Sequence, residues 1–311
     1  MMSRLSRSYA AGLLAGAALL TSTACGAGSA ETGAGAGGGK PAVVAAFYPL
    51  QWLSQQVGGP DAAVSVLTAP GVEPHDLELG PHQMAELGKA SLIVYIKGVQ
   101  PAVDDAVDAD KAFDAATAVK TLPAGHDEAG HEGEEAEHDH EVSYDPHLWL
   151  DPARLATVAT GLGERMAAAD PAHAQGYKDR AAATAASLGA LDKEFTQGLA
   201  TCRSRTLVTA HEAFGYLADR YRLKQVGITL DPEAEPSPAR LAEVAGLAKS
   251  EKVTTVFTES LVSPKVAQVL ASEVGARTAV LDPLESKPSG DYLSAMRANL
   301  TTLRTALGCG A

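Results

Sequence analysis

The sequence predicts an α/β protein of two lobes, each with a mainly parallel sheet, joined by a long helical segment. Short apolar runs alternate with helix-like stretches in both halves of the 311-residue chain, which is typical of parallel sheets covered by helices. Between the halves, residues 152–199 are rich in alanine and contain few helix-breaking residues. The hydrophobic fraction of 46% is that of a folded protein, so the composition excludes a wholly disordered chain.

Each predicted strand is a short apolar run that ends at a glycine, a proline or a helix-like stretch. In chain order the strands are 43–47, 63–67, 91–96, 205–210, 223–228, 254–257 and 278–281. The helices predicted between them are 48–57, 81–89, 213–221, 238–251 and 264–274. One or two long helices are predicted between Pro152 and Leu199, with Asp170-Pro171 as the main break.

The first residues are predicted to direct export rather than to fold. Residues 1–24 combine early arginines, a short apolar run and small residues, which is the pattern of a signal peptide. The small residues before Cys25 resemble a bacterial lipobox, so we expect lipidation of Cys25, with plain secretion as the alternative. Residues 25–41, rich in glycine and alanine, would form a flexible tether. The protein is therefore expected outside the cytoplasm, lipid-anchored to the outer face of the cell membrane, or in the periplasm.

The rest of the chain is predicted to divide into an N-terminal lobe at 42–151, linking helices at 152–200 and a C-terminal lobe at 201–311. In an oxidising compartment Cys202 and Cys309 would form a disulfide, with two free thiols as the alternative. A formal net charge of −13 leaves no basic surface for phosphates, so we expect no nucleic-acid partner. We also expect a monomer.

Four of the nine histidines lie close together in an acidic segment without apolar periodicity. The segment 124–142 therefore predicts a mobile loop that belongs to the N-terminal lobe. Imidazoles interleaved with carboxylates suit a divalent ion such as zinc, so weak metal binding is the favoured interpretation. The alternative is a solvated acidic loop. The four histidines are His126, His131, His138 and His140.

A second group of candidate ligands stands where predicted elements end. His75 follows the second strand, His147 precedes the long helical segment, His211 follows a strand directly, and Asp282 follows the last strand. In open α/β sheets, ligands bind beyond the carboxyl ends of the strands. Three imidazoles and one carboxylate form a tetrahedral set acceptable to zinc. Taken singly, each histidine is more often a hydrogen-bonded core or cap residue, and Asp282 before a proline is a common turn residue.

Four short motifs, in this order, resemble the metal-binding solute-binding proteins of bacterial ABC importers (family 9). The motifs are Glu-Pro-His-Asp (73–76), Asp-Pro-His-Leu-Trp-Leu-Asp-Pro (145–152), His-Glu-Ala-Phe-Gly-Tyr (211–216) and Leu-Asp-Pro-Leu (281–284). Phe-Tyr-Pro-Leu at 47–50 is similar to the opening of the mature domain in that family. The resemblance implies two α/β lobes bridged by a long rigid helix, with the metal in the cleft between the lobes. Its metal ligands fall on His75, His147, His211 and Asp282.

The family has zinc and manganese branches, and the resemblance favours zinc. Manganese-binding members have a glutamate at the third ligand, where this chain has His211, and a histidine- and acid-rich loop is typical of the zinc branch. The implied function is zinc capture and delivery to a membrane permease, which would separate the lobes to release the ion. Alternatives are manganese capture, an exported zinc hydrolase and an adhesin; the hydrolase is disfavoured because His-Glu-x-x-His is absent. Glu73 and Glu259 are candidate hydrogen-bond partners of the imidazoles.

Overall fold

A computed structural model describes residues 39–124 and 142–310, and its first lobe contains a four-stranded parallel sheet. The order of the strands across the sheet is β2-β1-β3-β4, so the first strand is central. These strands are β1 (Ala42–Ala45), β2 (Ala63–Val66), β3 (Leu92–Tyr95) and β4 (Ala112–Asp114). The short β4 is absent from the sequence prediction, because three residues with one large apolar side chain carry little strand signal.

The second lobe repeats this arrangement with another four-stranded parallel sheet. Its order is β6-β5-β7-β8, so the first strand of the lobe is again next to the second and third. The strands are β5 (Thr206–His211), β6 (Lys224–Thr229), β7 (Thr255–Thr258) and β8 (Arg277–Val280). The prediction of two α/β lobes with parallel sheets is therefore confirmed.

Helices cover both sheets and connect their strands. They are α1 (Tyr48–Gly58), α2 (Pro81–Lys89), α3 (Pro101–Ala106), α4 (Pro152–Ala169), α5 (Ala174–Gly198), α6 (Gly215–Tyr221), α7 (Pro238–Ser250), α8 (Lys265–Val274) and α9 (Tyr292–Leu307). The long central segment is two helices, because α4 ends at Ala169 and Asp170-Pro171 interrupts the helix. No helix of the described residues is both long and apolar enough to cross a lipid bilayer.

Helix α5 links the two lobes along its length. Near its start, Arg180 donates hydrogen bonds to the carbonyl oxygens of Val57 and Gly58 at the end of α1. Near its end, Glu194 forms a bidentate ion pair with Arg297 of α9, with N–O distances of 2.8 and 2.9 Å. One rigid element therefore contacts helices of both lobes.

A continuous hydrophobic core joins the lobes. The same cluster of buried side chains contains Phe47 and Leu53 of the first lobe and Leu207 and Phe214 of the second. A smaller cluster lies within the second lobe, where strands β5 and β7 pack against α7 and α8. Separating the lobes would expose side chains of the shared core to water, at about 25 cal/mol for each Å². The two lobes are thus packed as one body.

The C-terminus is tied to the start of the second lobe by a disulfide between Cys202 and Cys309. This is one of the two states considered for these cysteines from the sequence. The predicted signal peptide, Cys25 and nearly all of the tether lie outside the described residues, as do the four histidines of the acidic loop.

Candidate metal site

Three histidines and one glutamate lie at the ends of elements that meet between the lobes. His211 is the last residue of β5, and His75 lies in the segment 67–80 that connects β2 to α2. His147 stands shortly before α4, and Glu285 lies in the connection between β8 and α9. The strands are parallel, so their carboxyl ends share one edge of each sheet and deliver these side chains to the same crevice.

The four side chains converge on one point. One ligand atom from each of His75, His147, His211 and Glu285 lies within 4.8 Å of all the others. The Nε2 atoms of the three histidines lie 3.5, 3.9 and 3.6 Å from Glu285 Oε1, in chain order. A tetrahedral zinc ion with bonds of about 2.0–2.1 Å separates its ligand atoms by roughly 3.3 Å. The spacing therefore fits one small ion after the ligand atoms approach one another by up to about 1.5 Å.

These ligand atoms are buried and lack hydrogen-bond partners among the described residues. The side chains are 12% exposed for His75, 7% for His147, 0% for His211 and 1% for Glu285. All three Nε2 atoms and both Glu285 carboxylate oxygens are without a hydrogen-bond partner there. Buried polar atoms are costly unless they are paired or coordinate a metal. A divalent cation at the centre would satisfy all four residues at once.

Carboxylates orient two of the three imidazoles. Glu259 Oε2 lies 2.7 Å from His211 Nδ1, and its other oxygen accepts a hydrogen bond from the His211 backbone N–H. Asp145 Oδ1 lies 2.7 Å from His147 Nδ1 and accepts from the His147 backbone N–H. In both rings Nδ1 is held outward and Nε2 points to the centre, which is the usual carboxylate–histidine–metal arrangement. Glu259 was a candidate for this role from the sequence, whereas Asp145 was missed, although it stands two residues before His147 in Asp-Pro-His.

Glu73, the other candidate partner, contacts its histidine differently. Its Oε1 accepts a hydrogen bond of 3.3 Å from the backbone N–H of His75, so it holds the chain rather than the ring. Burial and the nearby charge of Glu285 raise the pKa of Glu73 to about 7. Glu73 thus supports the backbone beside His75, and its carboxyl takes up a proton at a higher pH than an ordinary glutamate.

The electrostatics of the centre differ between the carboxylate and the rings. Burial acts to raise the pKa of Glu285, but His211 and His75 outweigh it and hold that pKa below its ordinary value. Burial acts to lower the pKa of His211, but Glu259 and Glu285 outweigh it, so the pKa of His211 is well above its ordinary value. For His147, burial prevails over Asp145 and lowers the pKa. Glu285 is thus a carboxylate at neutral pH, as metal coordination requires.

Asp282 does not belong to the converging group. Its Oδ1 accepts a hydrogen bond of 2.8 Å from the backbone N–H of Leu284, so its carboxylate stabilises the turn that precedes Glu285. The one carboxylate of the converging group comes from Glu285, three residues later than the sequence motif indicates. The sequence signal available for Glu285 was an acidic residue just beyond Leu-Asp-Pro-Leu.

Known proteins resemble this chain in sequence and in fold. Residues 43–306 match the family described as "ZnuA: Zinc-uptake complex component A periplasmic". A zinc-binding lipoprotein AdcA of Streptococcus pneumoniae is 36% identical over 280 residues, which are 86% of this chain and 56% of that protein. The chain thus spans about half the length of such curated relatives.

Two further similar proteins match over nearly their full length. The high-affinity zinc uptake system protein ZnuA of Bacillus subtilis is 33% identical over 312 residues, covering 94% of this chain and 95% of that protein. A solved structure of the laminin-binding protein Lmb of Streptococcus agalactiae, described as a bifunctional protein with adhesin and metal transporting activity, is 33% identical. Its TM-score is 0.75, with 86% of this chain and 99% of that chain covered. Because the family match covers most of the length of this chain, the chain belongs to the ZnuA family of zinc-uptake components.

Proposed function

We propose that this protein captures zinc outside the cytoplasm and delivers it to the permease of an ABC importer. One observation carries the proposal: three buried Nε2 atoms and the carboxylate of Glu285 converge on one point without other partners among the described residues. The relatives named for zinc binding and zinc uptake support the same cargo.

The donor set favours zinc over manganese. Imidazole nitrogen suits zinc, whereas manganese is better served by carboxylate, carbonyl and water oxygens. The proposed ligands, His75, His147, His211 and Glu285, provide three nitrogens and one carboxylate. This set replaces the one expected from the sequence, with Glu285 in the place of Asp282.

Capture fits the burial of the site better than hydrolysis does. A catalytic zinc keeps one position open for water and substrate, whereas a closed site uses four protein ligands. Here four protein ligands are available, and three of them are at most 7% exposed. An adhesin function stays a prediction, because the geometry of this site is evidence neither for it nor against it.

Release of the ion is proposed to require local movement rather than separation of the lobes. The lobes share a hydrophobic core, and Trp149 donates a buried hydrogen bond of 2.7 Å to the carbonyl oxygen of Pro283 across them. The segment 67–80, which carries His75, contains neither helix nor strand and is the most exposed wall of the site. We therefore expect the permease to act on this segment.

The test is calorimetric titration of zinc and manganese into metal-stripped residues 40–311, which lie in one compact unit. The proposal predicts one tight zinc site and weaker manganese binding. Removing one of four ligands in Glu285→Ala or His147→Ala should weaken zinc binding roughly 100- to 1,000-fold, about a quarter of the binding free energy of such sites. Unchanged zinc affinity in Glu285→Ala would refute the ligand set, and tighter manganese binding would refute the cargo.

The acidic loop and Cys25 need separate tests, because both lie outside the described residues. Deleting 126–140 should remove only weak additional zinc sites and leave the tight one. Mass spectrometry of the exported protein should find a lipid on Cys25 and none in Cys25→Ala; an unmodified Cys25 would favour plain secretion.

A further inference from the structure

The segment between β8 and α9 holds Glu285 in the site through an unusual backbone conformation at the preceding residue. Leu284 has a φ of 60°, in the left-handed region that large side chains rarely adopt. Its side chain is fully buried in the shared core. Leu284 therefore lacks the conformational freedom with which glycine adopts this region. Such a conformation persists only where the surroundings enforce it. We infer that Asp282 is a positioning residue that enforces it and thereby aims Glu285 at the metal.

Side chains form hydrogen bonds to the backbone of three consecutive residues in this segment. The amide side chain of Asn299 pairs with Asp282 twice, accepting from its N–H at 3.0 Å and donating to its carbonyl at 2.6 Å. Trp149 Nε1 donates to the carbonyl of Pro283 at 2.7 Å. Asp282 Oδ1 then accepts from the N–H of Leu284 at 2.8 Å. Three consecutive residues are therefore fixed by three different side chains.

Among these contacts, only that of Asp282 acts directly on the left-handed residue. A proline followed by a residue with positive φ is the combination used in a type II turn, where glycine or asparagine normally takes the second place. Here Leu284 occupies that place, and leucine does not itself favour the positive φ that the turn requires. The carboxylate of Asp282 supplies the missing restraint by holding the N–H of Leu284. Without it, the backbone at Leu284 would relax and the carboxylate of Glu285 would leave the centre.

The inference rests on the proposed zinc function and separates two roles for Asp282. As a ligand, Asp282 would contribute to zinc affinity independently of Glu285. As a positioning residue, it would contribute only through Glu285, so that its effect disappears once Glu285 is removed. A double-mutant cycle measures this difference.

The experiment is zinc titration of metal-stripped residues 40–311 as wild type, Asp282→Ala, Glu285→Ala and the double variant. Asp282→Ala should lose roughly 10- to 100-fold in zinc affinity, the range for groups that orient metal ligands. The double variant should bind as Glu285→Ala alone does. Additive losses would overturn the positioning role, whereas an unchanged Glu285→Ala would overturn the ligand set itself.

Two further measurements separate positioning from general destabilisation. Asp282→Asn keeps an oxygen that accepts from Leu284 and should retain most of the affinity; a loss as large as in Glu285→Ala would overturn the inference. With cobalt(II) as the probe, Asp282→Ala and Glu285→Ala should show the same altered visible spectrum. A wild-type cobalt spectrum in Asp282→Ala would indicate that Glu285 still coordinates, and would refute the role.

The matched control is Asp108→Ala. Asp108 Oδ1 accepts from the backbone N–H two residues later, at 3.1 Å, which is the same local arrangement on the surface of the first lobe. This variant should bind zinc and cobalt as the wild type does. A loss of affinity there would mean that Asp-to-Ala changes in such turns act through the whole fold, and would remove support for a specific role of Asp282.

Discussion

Two histidines of the metal site, His211 and His75, are held in place to very different degrees. His211 ends the buried strand β5, is 0% exposed, and has both its ring and its backbone N–H held by Glu259. His75 lies in the segment 67–80 and is 12% exposed; Glu73 accepts from its backbone N–H, and its Nε2 faces Glu285 at 3.5 Å. Among the described residues, no carboxylate holds the Nδ1 of this ring, in contrast to His211. The difference indicates that the second lobe provides a fixed half-site, and that the segment 67–80 of the first lobe is the part that opens.

The largest effect expected from this comparison is on the stability of the metal-free protein. His211→Ala would empty a buried position and leave Glu259 without its imidazole, at a cost of about 3 kcal/mol in the free energy of unfolding. His75→Ala removes a more exposed ring that contacts Glu285 at 3.5 Å but has no carboxylate partner on Nδ1 among the described residues, so the expected loss is smaller, about 1 kcal/mol.

Urea unfolding in the presence of a chelator measures both values. Both variants should lose tight zinc binding, so affinity serves as the control that each side chain is a ligand. Equal destabilisation by the two substitutions would show that the half-sites are equally rigid in the absence of the ion.

The three histidines that converge in the structure could be predicted from the sequence because of their positions relative to the predicted strands and helices. His211 directly follows an apolar run, and His147 lies in a motif rich in proline and aspartate just before a long helix. Such positions depend on local periodicity and on the rule that parallel strands end at one edge, both of which can be read from one sequence.

The fourth side chain of the converging group, Glu285, could not be predicted in the same way. Its place depends on the left-handed backbone of Leu284, and leucine gives no signal for that conformation. The forces that hold it come from Asn299 in α9 and Trp149 before α4, both distant in sequence. Helix α9 is likewise absent from the sequence prediction, although Asp291 and Ser294 form a capping box at its start that marks a helix.

Hydrogen exchange offers a second way to sharpen the comparison. Zinc bound to His75 should tie the segment 67–80 to the site, so its amides should exchange at least about tenfold more slowly with zinc than without it. The amides of β5 (206–211), already paired on both sides within the sheet, should show no comparable change. Mass spectrometry of the exchanged protein resolves both segments, and equal slowing of the two would contradict a fixed half-site.

The smallest expected effect concerns the hydrogen bond that ties the opening segment to the second lobe. Gly71 has a φ of 83°, which glycine adopts without strain, and its N–H donates to Ser286 Oγ at 2.7 Å, directly beside Glu285 in the chain. Ser286→Ala removes this bond on the exposed side of the site. We expect zinc release to a chelator to become about 2- to 10-fold faster, in line with about 0.5–1.5 kcal/mol for one hydrogen bond.

Ser289→Ala is the matched control, because it changes an exposed serine of the same segment that forms no side-chain hydrogen bond to the described residues. Stopped-flow measurement of zinc transfer to a coloured chelator compares the rates. Since the bond restrains the segment that carries His75, only Ser286→Ala should accelerate release, while the association rate changes little. An unchanged rate in Ser286→Ala would show that this hydrogen bond does not limit zinc release. The contrast between the two half-sites would then be supported only by the hydrogen bonds to the histidine rings.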